Sequence, residues 1–287
     1  MYSFPYPLVE FVIVILLVVC GSYILFLAYK SKFDNEYINK SFSNDLYSAF
    51  IDAENKSDTS ILFVTDKFWN REYKLNALLT KYIVDINDED NTFINLINSF
   101  TKNLSLIIDT NGGNIDVNDK MVKSILKYSS HNDVNTYVPC QAYSAGSVLA
   151  LVGKKIFIGK CAILSPIDPQ IGVEVPNVDI SSYSSDVIKK SHLMTTDPTF
   201  IDNIIYQEAT KYHNENILNT KMILKHNKYG YHTIKKVISE MCSGKYTHSK
   251  PFDFNNLKSM GLRVTNAIPE HIKELTDKLY KYRLSFD

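Results

Sequence analysis

The sequence predicts an α/β fold with a mostly parallel sheet. Two observations carry the prediction. A strand–turn–helix pattern occurs twice, at residues 104–128 and 137–152, and strand-like and helix-like stretches alternate up to residue 164.

The first copy begins with the apolar run Leu104-Ser105-Leu106-Ile107-Ile108. Asp109-Thr110-Asn111-Gly112-Gly113-Asn114 follows as a turn. Val117, Met121, Ile125 and Leu126 then fall close to helical spacing within residues 115–128. Paired glycines let backbone approach a ligand with its N–H groups exposed, although Gly-Gly also serves plain βα turns. In the second copy, Tyr137-Val138-Pro139 leads into Tyr143-Ser144-Ala145-Gly146-Ser147, and the apolar segment Val148 to Val152 follows. A serine in such a turn sits at a helix N-terminus, where free N–H groups and the helix dipole favour negative charge. An attacking alkoxide and a tetrahedral oxyanion both need that environment. Capping is the commoner use of serine before a helix. In parallel βα folds ligands bind at the carboxyl ends of strands, so the two turns are expected to share one cleft.

The remaining elements fall in order around this pair. Residues 11–29 carry no charge, and at helical rise they just span a hydrocarbon core of about 30 Å. No basic residue precedes them and no small-x-small cleavage site follows, which argues for an anchor over a cleaved signal. Lys30 and Lys32 lie on the far side, so the positive-inside rule puts the bulk of the chain in the cytoplasm. The expected organisation is an anchor at 1–32, a juxtamembrane linker at 33–60 with some helix around Tyr47 to Ile51, a globular domain at 61–265, and a helical tail at 266–287. Ile61 to Val64 reads as the first strand, and Leu75 to Leu79 and Phe93 to Phe100 read as helical pieces. Ile201, Ile204, Ile205, Ala209 and Tyr212 form a helical stripe, which serves a core or an oligomer contact.

Composition excludes more than it assigns. The 287 residues carry zero formal net charge, which gives nucleic acid no footprint. Cys20, Cys140, Cys161 and Cys242 show neither CxxC nor Cys/His metal spacing. No metal and no cofactor is expected, and the thiols read as isolated.

The two turns, in this order, resemble the ClpP/crotonase superfamily, within it the signal peptide peptidase A-like serine proteases, and most closely the serine dehydrogenase proteinase family. Asp109-Thr110-Asn111-Gly112-Gly113 stands where that family has Thr-Pro-Gly-Gly. Tyr143-Ser144-Ala145-Gly146-Ser147 stands on its small-Ser-Gly-Gly-Thr turn, and Leu164-Ser165-Pro166-Ile167-Asp168-Pro169-Gln170 on Gly-Pro-Val-Asp-Pro-Gln. Ile83 to Asp90, Lys245-Tyr246-Thr247-His248 and Met260-Gly261-Leu262 fit as well, so the likeness covers roughly residues 60 to 265. Asn111 departs from the family's proline, Asp109 from a frequent histidine, and Ala145 from the first glycine of the serine turn.

The resemblance implies a ClpP/crotonase-like domain of repeated ββα and βαβ units, a peptide or protein substrate, and a homo-oligomer. It implies Ser144 as nucleophile and an oxyanion hole from the N–H of Ala145 and that of Gly112 or Gly113. No histidine lies between residues 132 and 191, where the Clp subunit has its base, so a Ser–Lys dyad is expected instead. Lys189 in Asp186-Val187-Ile188-Lys189-Lys190-Ser191 is the first choice, with Lys190 and Lys211 behind it. A lysine base must be desolvated to offer a neutral amine, and a lysine in a polar segment is more often a solvated charge. Asp168 is an alternative base or orienter, and Ser165 stands near the hydroxyl that orients the lysine. Ser147 is the rival nucleophile, and His248 a structural hydrogen bonder. Two other functions stay open: a non-catalytic membrane scaffold, and a crotonase-like acyl-CoA enzyme, which would need no serine.

Overall fold

Two sequence periods, about two for strands and 3.6 for helices, account for most of the architecture. The computed structural model describes residues 42–66, 78–89, 91–173 and 181–284. The apolar span at 11–29 lies outside them. Among the described residues no helix is long and apolar enough to cross a membrane.

The first described element is a helix, α1, over residues 42–57. Leu46, Ala49, Phe50 and Ala53 recur on one face and are buried. Burying a side chain such as Phe50 contributes roughly 1.5–3 kcal/mol. From residue 42 onward the stretch read as a linker is therefore a packed element. Next come β1 (Ser60–Thr65), a 3₁₀ turn (Leu79–Lys81), β2 (Ile83–Asp85), α2 (Thr92–Ser99), β3 (Leu104–Asp109), α3 (Ile115–Tyr128) and β4 (Val134–Val138). Of the helical piece expected at Leu75 to Leu79, residues 75–77 lie outside the described residues. A two-residue strand β5 (Gln141–Ala142) leads to α4 (Ala145–Leu151), β6 (Ile156–Ile158), β7 (Ile163–Leu164) and a hairpin of β8 (Gln170–Val173) and β9 (Ser181–Ser184). The remaining elements are α5 (Ser185–Met194), α6 (Phe200–His226), α7 (Tyr231–Val237) with a π-helical turn at Ile238–Cys242, α8 (Phe254–Ser259), β10 (Val264–Thr265) and α9 (Glu270–Leu284).

Six strands form one parallel sheet in the order β10-β6-β4-β3-β1-β2. β3 pairs on both sides and all six of its residues are buried, which explains its unbroken apolar run. Leu104, Leu106 and Ile108 join the larger core with residues of α2, α3, α4 and α6. Ile107 points to the other face, where α1 meets Ile272, Leu275 and Leu279 of α9. The C-terminal tail is thus part of the fold.

The stripe on α6 divides. Ala209, His213, Thr220, Ile223 and Leu224 are buried, whereas Ile201 and Ile204 are 66% and 44% exposed. Beyond the end of α6, the Asn227 side-chain amide donates to the carbonyls of Leu151 (3.0 Å), Val152 (3.0 Å) and Gly153 (3.2 Å) at the end of α4.

Candidate active site

Backbone hydrogen bonds bring the two turns together. The Tyr143 N–H donates to the Thr110 carbonyl (3.0 Å), and the Thr110 N–H to that of Gln141 (3.2 Å). Both turns lie past the carboxyl ends of neighbouring strands, β3 and β4, as parallel topology requires of a site.

Ser144 is the N-cap of α4 and has φ +52 and ψ −116. A side chain at positive φ costs on the order of 1–3 kcal/mol, so the surroundings must impose it. They do. The Ser144 N–H donates to Ser165 Oγ (2.7 Å), and Ser165 Oγ donates to the Pro166 carbonyl (2.9 Å). Ser147 Oγ donates to the carbonyls of Ala142 (2.5 Å) and Ser165 (3.0 Å) and accepts the Ser165 N–H (3.0 Å). Ser147 and Ser165 are fully buried struts under Ser144. This removes Ser147 as a rival nucleophile and engages the Ser165 hydroxyl away from any lysine. The Ser144 side chain makes no cap hydrogen bond, so the capping account of this serine does not hold. Gly146 packs on the end of β3: a Cβ there would stand 2.4 Å from Thr110 Cγ2.

The glycine turn meets the serine. Gly112 has φ +115, and a Cβ on it would lie 2.9 Å from Ser144 Cβ. Its N–H donates to Thr110 Oγ1 (3.0 Å). The Gly113 and Ala145 amides have no acceptor among the described residues, and both line one cavity with Ser144. That cavity is about 320 Å³ and lies between α3, α4, α6 and the Ile167-to-Gln170 segment.

Asp168 lines the same cavity and is 1% exposed. Its carboxylate accepts from Gln170 Nε2 (2.9 Å) and bonds His248 Nδ1 (3.0 Å). The sequence holds both partners in stretches that match the family, but nothing in it shows that residues 80 apart meet. The expected lysines lie elsewhere. Lys189 is half-buried on α5, Lys190 pairs with Asp186 (2.5 Å), and Lys211 is exposed on α6; none lines this cavity. α5 is nonetheless tied to its wall, since the Ser185 N–H donates to the Pro169 carbonyl (2.8 Å). Burial lowers the pKa of His213 on α6, and the nearby Lys189 charge lowers it further, against the opposing pull of Asp186 and Asp168. Lys123 does line the cavity. Its hydrogen bond and ion pair with Asp119 (2.5 Å) raise its pKa, which keeps it an ammonium. Among the described residues no group of His, Cys, Asp and Glu has the arrangement of a metal site.

The family model of the ClpP-like SDH-type serine proteinases matches residues 74–285, which takes in the sheet from β2 onward and both turns. The chain belongs to that family. Two curated relatives from Methanocaldococcus jannaschii, the uncharacterized proteins MJ1495 and MJ0137, are similar to this family member. They are 29% identical over 174 residues and 28% over 180, or 61% and 63% of this chain. The matches take in 56% and 59% of the relatives, so the chain spans little more than half their length. A solved mutant of the 1510-N membrane-bound stomatin-specific protease is 16% identical, with a TM-score of 0.42 over 77% of this chain and 84% of its own. Within the ClpP-like SDH-type proteinases, then, this chain has Ser144 at the turn before α4 and the paired glycines beside it.

Proposed function

We propose that this protein hydrolyses peptide bonds with Ser144 as nucleophile. The observation that carries the reading is the conformation of Ser144: positive φ, free of capping, and facing a cavity that the Gly113 and Ala145 amides also line. Ser144 Oγ attacks the scissile carbonyl and gives up its proton to a base. The carbonyl oxygen becomes an oxyanion between the N–H groups of Gly113 and Ala145; each such donor typically contributes roughly 3–4 kcal/mol to the transition state. Because the Gly112 N–H is already bonded to Thr110, Gly113 is the donor from the paired glycines. Collapse expels the amine, which takes the proton. Water, activated by the same base, then releases the acyl group and restores the serine.

Two groups compete for the base. Lys189 is the family-like choice, supported by the tie of α5 to the cavity wall and by its reach to His213. Asp168, with His248 behind it, is favoured by its place in the cavity itself. Residues 11–29 serve as a single membrane anchor with the catalytic domain on the cytoplasmic side. The exposed Leu193, Met194, Phe200 and Ile201 support a homo-oligomer.

The test is reaction of the purified protein with a broad serine-reactive probe, together with cleavage of a mixed peptide pool. Ser144→Ala abolishes both, with a loss of about 10³-fold or more, while the circular dichroism spectrum stays unchanged. Lys189→Ala and Asp168→Asn then separate the bases, because the true one falls with Ser144. A wild-type protein that neither labels nor cuts any peptide overturns the reading in favour of a scaffold.

A further inference from the structure

One amide of the glycine turn is free, and its neighbours are not. The Thr110 N–H donates to the Gln141 carbonyl (3.2 Å) and the Asn111 N–H to Asp66 Oδ1 (3.1 Å). The Gly112 N–H donates to Thr110 Oγ1 (3.0 Å), and the Asn114 N–H to Asn87 Oδ1 (2.8 Å). From Thr110 to Asn114, only the Gly113 amide lacks an acceptor among the described residues. In the same stretch only Gly113 lines the Ser144 cavity.

Two of the acceptors come from outside the turn. Asp66 directly follows β1, and Asn87 lies just past β2. Asn87 is itself fixed, since its N–H donates to Asp85 Oδ1 (2.8 Å). A Cβ on Gly113 would stand 2.7 Å from Asn87 Oδ1 and 2.8 Å from Ile86 Cγ2, so the turn rests directly on the chain leaving β2.

Asn111 is the hub. Besides its N–H, its side-chain amide donates to Asp66 Oδ2 (3.0 Å), and its Oδ1 accepts from Gln141 Nε2 (2.5 Å). One side chain thus joins the ends of β1 and β3 to β5, the strand that runs into Ser144. Asn111 is exposed, so water competes for these bonds and they add little to overall stability. Their effect is on direction: three bonds from two sides leave the peptide ahead of the glycines one orientation.

We infer that Asn111 is a positioning residue for the reaction at Ser144. Gripped by Asp66 and Gln141, with Asn87 at the far end of the turn, it aims the Gly113 N–H at the developing oxyanion. The inference rests on the reading of Ser144 as nucleophile. It adds that the aim is set by side chains past the ends of β1 and β2, and not by the paired glycines alone.

The test uses the purified full chain, the pool peptide that it cuts fastest, and a blocked peptide aldehyde of the same acyl sequence. Ser144 Oγ adds to the aldehyde carbon, and the aldehyde oxygen then occupies the oxyanion position. Asn111→Ala is expected to lower kcat by about tenfold to a hundredfold with KM within about twofold, and to weaken the aldehyde by the factor lost in kcat. Asp66→Ala does the same, and the double variant loses no more than either single one. Melting temperatures stay within about 2 °C of wild type. Asn111 is not at positive φ, and Thr110 before it lies in a β-bridge, which suits proline. Asn111→Pro therefore recovers most of the lost kcat, because a ring replaces the bonds. A kcat within twofold of wild type in both alanine variants overturns the inference. So does a loss that appears in KM or melting temperature instead, or one that Asn111→Pro fails to reverse. In each of those cases cleavage by wild type leaves the Ser144 reading standing. A wild type that cuts nothing in the pool and binds none of a panel of peptide aldehydes overturns that reading, and this inference with it.

Discussion

The serine turn and the α5–α6 corner are built by opposite rules. Under Ser144, each hydroxyl of Ser147 and Ser165 is buried and bonded at least twice to neighbouring backbone. At the corner, Leu193 is 75% exposed, Met194 82% and Phe200 79%. One region is fixed by the core of a single chain. The other leaves apolar side chains outside any core, although it carries Lys189. The proposed nucleophile and oxyanion donors therefore sit in a part held by the fold of one chain, whereas Lys189 lies on elements that this chain alone leaves partly uncovered.

Three changes sharpen that contrast, in order of expected effect. Gly112→Ala forces a methyl to within 2.9 Å of Ser144 Cβ at a φ of +115. A displacement of Ser144 by about 1 Å costs on the order of 10²-fold, so kcat/KM on a cleaved peptide drops by that factor, and the strained alanine also lowers the melting temperature by a few degrees, on the order of 1–3 kcal/mol. An unchanged kcat/KM means the two turns are not coupled.

Ser147→Ala strips three hydrogen bonds from the buried strut and leaves the Ser165 N–H unpaired. Unfolding in urea is expected to show a loss of about 2–3 kcal/mol. A loss under 0.5 kcal/mol contradicts the account of an imposed backbone at Ser144.

The smallest effect belongs to the corner. Burial, then the Lys189 charge, hold the His213 pKa below its ordinary 6.5. The unfolded chain therefore binds the proton more readily, and stability is lost as pH falls below 6.5 toward the folded value. His213→Gln flattens that acid limb of the stability curve. A limb that persists in the variant assigns it to other groups.

Much of this was legible in residue order. Residues 115–128 read as a helix because Val117, Met121, Ile125 and Leu126 keep one face, and all four are buried. Ser144 was legible because a strand, small residues and an apolar segment followed each other without a gap. The hairpin of β8 and β9 was not, since Ser181 to Ser184 has no apolar alternation and its pairing comes from Gln170 to Val173. The bond from Asp168 to His248 was not, because it joins elements that only the folded sheet brings together. The helical stripe from Ile201 had the right period, but period cannot tell a buried face from an uncovered one, and only its later half packs.

At 27 residues, α6 is a rod of about 40 Å. Tyr212, Glu215, Asn216 and Asn219 along it form one bank of the cavity. Just past its end, one amide, that of Asn227, grips three carbonyls at the end of α4, those of Leu151, Val152 and Gly153. The rod thus meets the cleft at mid-length and the back of α4 at its end. A cut in that grip, such as Asn227→Ala, is therefore expected to be felt at Ser144 although residue 227 lies outside the cavity.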